Sequence, residues 1–178
     1  VKIACLHAHH TNQVYMDTLF SDIYHVVKPR IRKAEILATL EALSTQADYV
    51  YVTCTDYIAQ IEGEPMPKNI VKIDAPFFAA LAERSGMQTL VFTNTDTISG
   101  TIARLHKAGR AINYEIIMIE NAYELLLNGQ KEAHDALVMQ KLRTLAPRTL
   151  AVAQLSLVDA AEAVDANILH PLATLQIN

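Results

Sequence analysis

No apolar run in this chain approaches the roughly 20 residues that a membrane-spanning helix requires. The longest hydrophobic stretches are of strand length or amphipathic. Glycine is scarce at 5 residues of 178, charged residues make up only 19% and apolar residues 51%, which excludes disordered and fibrous compositions and leaves a compact globular one. Neither a G-x-G-x-x-G nor a Walker sequence occurs, so nucleotide binding has no positive support. A basic footprint is missing too: the formal net charge is −4, and the Lys/Arg groupings at 28–33 and at Lys141 and Arg143 read as helix-start and exposed-face charges, which disfavours nucleic acid as a partner. The two cysteines, Cys5 and Cys54, stand in different strand-like runs with no C-x-x-C spacing and no disulfide framework. With no signal peptide in view and Val1 leading straight into a strand, a reducing, cytoplasmic setting is expected.

What is present is an alternation of continuous apolar runs with helical patterns, the mark of α/β architecture with parallel sheets covered on both faces. Strands are expected near Lys2–His7, Ile23–Val27, Tyr49–Thr53, Ile70–Ile73, Thr89–Phe92, Tyr114–Ile119, Leu150–Ala153 and Ile168–Leu169. Ile36, Leu37, Leu40 and Leu43 repeat at helical spacing, as do Leu137, Val138, Leu142 and Leu145. Phe77, Phe78 and Leu81 open a helix after Pro76, and Ser99 to Ala108 forms another that Gly109 closes. The one candidate linker, Glu62 to Lys68, reads as a surface loop. A strand, a polar Thr-rich turn and a helix occur around Val52–Asp56 and again around Phe92–Thr97, which suggests two similar lobes.

In parallel α/β sheets ligands bind beyond the C-terminal strand ends, so the residues just after each strand carry the functional expectations. They are His7 to His10, Cys54 to Asp56, Thr93 to Thr97, Glu120-Asn121 and Gln154 to Ser156. Cys54 follows a buried strand and enters a helix whose first N–H groups favour a thiolate, so it can be acid, base or nucleophile; its structural alternative is a small buried hydrophobe. Cys5 lies mid-strand and reads as core. Thr93, Asn94, Thr95 and Thr97 precede a helix that Ser99 could cap, and their hydroxyls, amide and backbone N–H groups suit a carboxylate, or else simply serve the turn. Thr55, Asp56, Gln154 and Ser156 are further binding candidates. His7, last of the same-face set Ile3, Cys5 and His7, is a second proton carrier. His134 lies on its helix's apolar stripe, where a packed histidine is expected. A rival reading uses His7 and His9, with Asp17 or Asp56, to hold a divalent metal in a hydrolase.

The order and content of these segments resemble the aspartate/glutamate/hydantoin racemase superfamily. The similarity runs through Ala47 to Thr55, Lys72 to Phe78, Thr89 to Ser99, Asn128 to Asp135 and Ala151 to Ser156, nearly the whole chain. It implies two pseudo-symmetric flavodoxin-like lobes, residues 1–82 plus 166–178 and residues 83–165, with the active site in the cleft between them, no cofactor and no metal. It also implies isomerase or racemase chemistry at the carbon next to a carboxylate of a small amino or dicarboxylic acid. Two-cysteine members of the family place a thiol on each side of that carbon. Here Gln154 stands where the second thiol is expected, and an amide cannot move protons at ordinary pH. One thiol suits decarboxylation, a single proton delivery or a covalent adduct. A carboxylate-binding sensor without catalysis is the alternative from another class. The sequence runs only a little past His170-Pro171, where the family has a tail that closes the first lobe, so a homo-oligomer covering that face is a further expectation.

Overall fold

The computed structural model describes residues 1–108 and 111–175. The chain divides into two compact units, one over Val1–Asp74 and one from Ala75 onward. In the first, the order is β1 (Ile3–His7), α1 (Gln13–Asp17), β2 (Ile23–Val27), α2 (Lys33–Ser44), β3 (Tyr49–Val52), α3 (Thr55–Gln60) and β4 (Ile70–Lys72). The second holds α4 (Ala75–Glu83), β5 (Met87–Phe92), α5 (Ile98–Lys107), β6 (Asn113–Met118), α6 (Ala122–Leu127), α7 (Lys131–Thr144), β7 (Thr149–Val152), α8 (Val158–Val164) and α9 (Pro171–Thr174).

Every strand pairing is parallel, in a four-stranded sheet of order β2-β1-β3-β4 and a three-stranded sheet of order β6-β5-β7. The two sheets share one plan: the first strand lies in the middle, the second on one side of it and the third on the other. The chain therefore switches direction at the ends of β1 and β5, the positions where open α/β sheets leave a crevice.

Helices cover these sheets because their apolar rows match the strand faces. In the second unit Val91 and Val152 face a cluster with Val138, Leu142, Leu157 and Ala161 from α7, the turn before α8, and α8 itself. Leu90, Phe92 and Ala151 point the other way, onto Phe77, Phe78 and Leu81 of α4 and Leu105 of α5. Alternate residues of one strand thus enter opposite cores, which is why these runs read as continuously apolar. The first unit buries Leu6, Val50 and Val52 together with Ile36, Leu40, Tyr57 and Ile58.

Three local expectations change. The contacts of α4 group it with the second unit, because Phe77, Phe78 and Leu81 find their partners on β5 and α5. The segment around residue 168 also joins the second unit: Leu169 makes a single parallel bridge to Ala151 in place of a full strand, and Arg84 holds the carbonyls of Leu150 and Asn167 at 3.2 and 2.9 Å. Ser99 lies inside α5 and is not its cap; the turn before α5 is capped by Asn94, whose side chain accepts from the Asp96 N–H. Gly109 falls outside the described residues.

Phe77→Ala should cost about 3–5 kcal/mol of stability, the usual penalty for emptying an aromatic core site. Hydrogen exchange should then speed up first in amides of β5 and α5. Loss of protection confined to β1 and β3 would refute the placement of α4.

Candidate active site at the strand ends

Cys54 is the residue that turns β3 into α3. It has an extended backbone (φ −90°, ψ 119°) and stands at the N-cap of the helix. The thiol is partly buried. Burial pushes its pKa above the ordinary thiol value; the backbone N–H groups of Tyr57 and Asp56 pull down, and the Asp56 carboxylate adds to the rise. The helix start therefore does not outweigh desolvation, and Cys54 rests as a neutral thiol at neutral pH. Asp56 itself is exposed and accepts a hydrogen bond from Gln60 at 2.8 Å, while Thr55 is half-buried beside it.

Gln154 occupies the same position in the second unit. In the parallel registers Val52 ends the pairing of β3 with β1 and Val152 that of β7 with β5, and Cys54 and Gln154 both stand at the second position beyond. Gln154 also has an extended backbone (φ −80°, ψ 129°) and heads a short helical turn, Leu155–Leu157. Its side chain is fully committed. Oε1 accepts from the backbone N–H of Thr93 at 2.9 Å and of Asn94 at 3.4 Å, and Nε2 donates to Thr93 Oγ1 at 2.8 Å and, at the limit of bonding distance, to Ser156 Oγ at 3.5 Å. The two N–H groups expected to greet a substrate carboxylate thus already hold an amide oxygen. Thr97 Oγ1 donates to the Asn94 carbonyl, which assigns it to the turn. Thr93 is buried, Asn94 and Ser156 are half-buried, and Thr95 is exposed.

His7 ends β1 and is completely buried. Its Nδ1 lies 2.7 Å from Thr53 Oγ1, and its Nε2 lies 2.9 Å from His25 Nδ1, while His25 Nε2 stands 2.9 Å from Asp17 Oδ1. Burial first and His25 second lower the His7 pKa to about 4, against a smaller pull upward from Asp17. Cys5 shares this face of the sheet, and burial together with Asp17 raises its thiol to about 12. His9 takes no part: it is exposed and bonds Thr11 at 2.9 Å. The His7–His9 pair of the rival metal reading is therefore not assembled: His9 is exposed and bonded to Thr11, and the partner of His7 comes from β2. His25 escaped the sequence reading. The signal lay in the register, which sets His25 opposite Cys5, and needs the neighbour of β1 to be known. His134 is buried with Nδ1 2.7 Å from Asp135 Oδ1, and its Nε2 has no partner among the described residues.

No family model and no curated protein matches this sequence. Solved structures do. A glutamate racemase from Thermus thermophilus, in complex with beta-chloro-D-alanine, aligns over 98% of this chain and 77% of its own at TM-score 0.63 and 13% identity. An aspartate racemase from Picrophilus torridus aligns over 97% and 90% at TM-score 0.64 and 10% identity. The fold is that of these racemases. A glutamate racemase isoform from Bacillus anthracis gives the same result, covering 97% of this chain and 77% of its own at TM-score 0.61 and 12% identity. At these identities the likeness is one of fold.

Gln154→Leu removes the acceptor for a buried backbone N–H at Thr93 and should destabilise the protein by about 1–3 kcal/mol in denaturant unfolding. Alkylation should distinguish the two thiols: Cys54 reacts with an inflection above that of free cysteine, and Cys5 stays protected in the folded state. Because a carboxylate opposes thiolate formation, Asp56→Asn should move that inflection down. An upward movement would contradict the assigned electrostatics.

Proposed function

We propose that this chain is a racemase-like enzyme that acts at the carbon next to a carboxylate of a small amino or dicarboxylic acid, with Cys54 as its acid/base or nucleophile. The observation that carries the reading is the position of Cys54: a thiol capping a helix at a strand end, in a fold shared with glutamate and aspartate racemases.

The chemistry follows from what each side chain has left to offer. A neutral thiol is a proton donor, so Cys54 suits delivery of a proton to an enolate or enediolate, and it acts as a base only after losing its own proton. Thr55 supplies a hydroxyl beside it, and in the second unit Asn94, Thr95 and Ser156 carry hydroxyl and amide groups of the kind that bind a carboxylate. Asp56 is exposed and anionic, which suits the ammonium of an amino acid better than a second carboxylate. Thr93, Thr97 and Gln154 contribute by shaping the turn that presents these groups. His7 is retained as a proton carrier only in a relay sense, through Thr53, the residue before Cys54. Gln154, at the position equivalent to Cys54, has no proton to exchange, so a single-face reaction is favoured over symmetric two-thiol racemisation. Proton transfer of this kind needs no organic cofactor.

Incubation in heavy water with a panel of amino and dicarboxylic acids is the direct test. One enantiomer should gain deuterium at the alpha-carbon, or release CO2, faster than its mirror image. Cys54→Ser should reduce the rate by about 100- to 10,000-fold, the usual share of a positioned acid or base. Full activity in that variant would remove Cys54 from the mechanism, and tight binding without turnover would favour a carboxylate sensor. A donor role also predicts activity that holds through neutral pH and falls only as the raised Cys54 pKa is passed.

A further inference from the structure

Cys5, His7 and His25 point the same way for a structural reason. Cys5 and His7 are alternate residues of β1, and His25 of β2 is the register partner of Cys5. One ligand atom from each lies within 4.8 Å of the other two. Cys5 and His7 have no solvent exposure, and the His25 side chain retains 15%.

Thr53 Oγ1 stands 2.7 Å from His7 Nδ1 and 3.3 Å from the Leu6 carbonyl, and its one hydroxyl proton can serve either. Asp17 is a carboxylate and only accepts, so His25 Nε2 is a donor and His25 Nδ1 carries a lone pair in the neutral ring. Without a metal, His7 Nε2–H fills that lone pair across 2.9 Å while the Thr53 hydroxyl donates to His7 Nδ1. With His7 in its other tautomer, Nδ1–H donates to Thr53, and His7 Nε2, His25 Nδ1 and the buried sulfur of Cys5 lie within 4.8 Å of one another with lone pairs to give. The hydrogen-bonded form uses the nitrogens alone; a cation uses all three atoms.

We propose that Cys5 Sγ, His7 Nε2 and His25 Nδ1 bind one divalent metal ion of the zinc class. One sulfur and two imidazole donors suit zinc, cobalt or nickel and exclude the oxygen-seeking magnesium and calcium. The outer contacts are those a metal-bound histidine requires: His25 passes its other N–H to Asp17, and His7 passes its own to Thr53, which is fixed in turn by Leu6. Binding converts the Cys5 thiol to a metal-bound thiolate and releases its proton to solvent, so uptake is proton-linked. The ion ties β1 to β2 within the first sheet. The proposal does not depend on the Cys54 chemistry; an ion on His7 Nε2 removes His7 as a proton relay and leaves the thiol of Cys54 untouched.

Titration of chelator-treated protein with cobalt(II) and zinc(II) tests the site. One equivalent of cobalt should bind, with thiolate charge-transfer absorption in the near ultraviolet and ligand-field bands of a four-coordinate ion in the visible. Zinc should displace it and raise Tm. Cys5→Ser should abolish the thiolate band, and Cys54→Ser should leave it intact. Asp17→Asn, at an exposed position, should weaken metal binding about 10- to 100-fold. Failure of the unmodified chain to take up stoichiometric cobalt overturns the proposal whatever the variants do. So does a thiolate band that follows Cys54, or nitrogen NMR showing His7 Nε2 still protonated with zinc present, which would mark the group as a hydrogen-bonded relay.

Discussion

Parallel pairing is the constraint on which the rest of this molecule depends. A parallel strand must be followed by a crossover, so helices cover both faces and the strands carry apolar residues on each side. Several of the polar residues that remain collect just past the C-terminal strand ends of each sheet. His7, Thr53 and Cys54 gather at the edge of the first sheet for this reason, and Thr93, Asn94 and Gln154 at that of the second. The concentration of chemistry at these edges is a consequence of topology before it is a consequence of selection for any reaction.

The repeated strand plan then assigns the same job to Cys54 and Gln154, and their surroundings separate them. The cysteine's sulfur faces the backbone N–H groups of Tyr57 and Asp56, and burial lets it keep a proton it can give. The glutamine spends its amide on the neighbouring strand end, crosslinking β7 to β5 through Thr93. One backbone position thus serves as a reactive group in one unit and as a clasp in the other, and the difference is a single side chain's hydrogen-bonding capacity.

Most of the architecture was legible because it follows from local pattern. Continuous apolar runs announced the strands, and the i, i+3, i+4 rows of Ile36 to Leu43 and Leu137 to Leu145 announced α2 and α7. The same pattern was silent on partners. The stripe of Phe77, Phe78 and Leu81 says that α4 is buried against a sheet and leaves open which one; only the packing on Phe92 and Leu105 assigns it to the second unit. His25 was invisible for a related reason. A histidine between Tyr24 and Val26 looks like an ordinary edge-strand residue until β2 is laid beside β1 and the residue opposite is seen to be Cys5. Cys54 and Gln154 could be found by position alone, since a strand end can be read locally, whereas the direction of the Cys54 pKa could not, because desolvation is a property of the folded surroundings.

The clasp formed by Gln154 has a consequence for ligand binding. Its Oε1 occupies the N–H groups of Thr93 and Asn94 in the way an incoming carboxylate oxygen would. The second strand end therefore carries a tethered competitor. A free anion must displace a group whose effective concentration is set by its attachment to the same backbone and is in the millimolar range or above for a short tether. The Thr93–Asn94 amides are consequently closed to weak anions in ordinary solution, and whatever ligand does enter has to gain its hold from atoms around them.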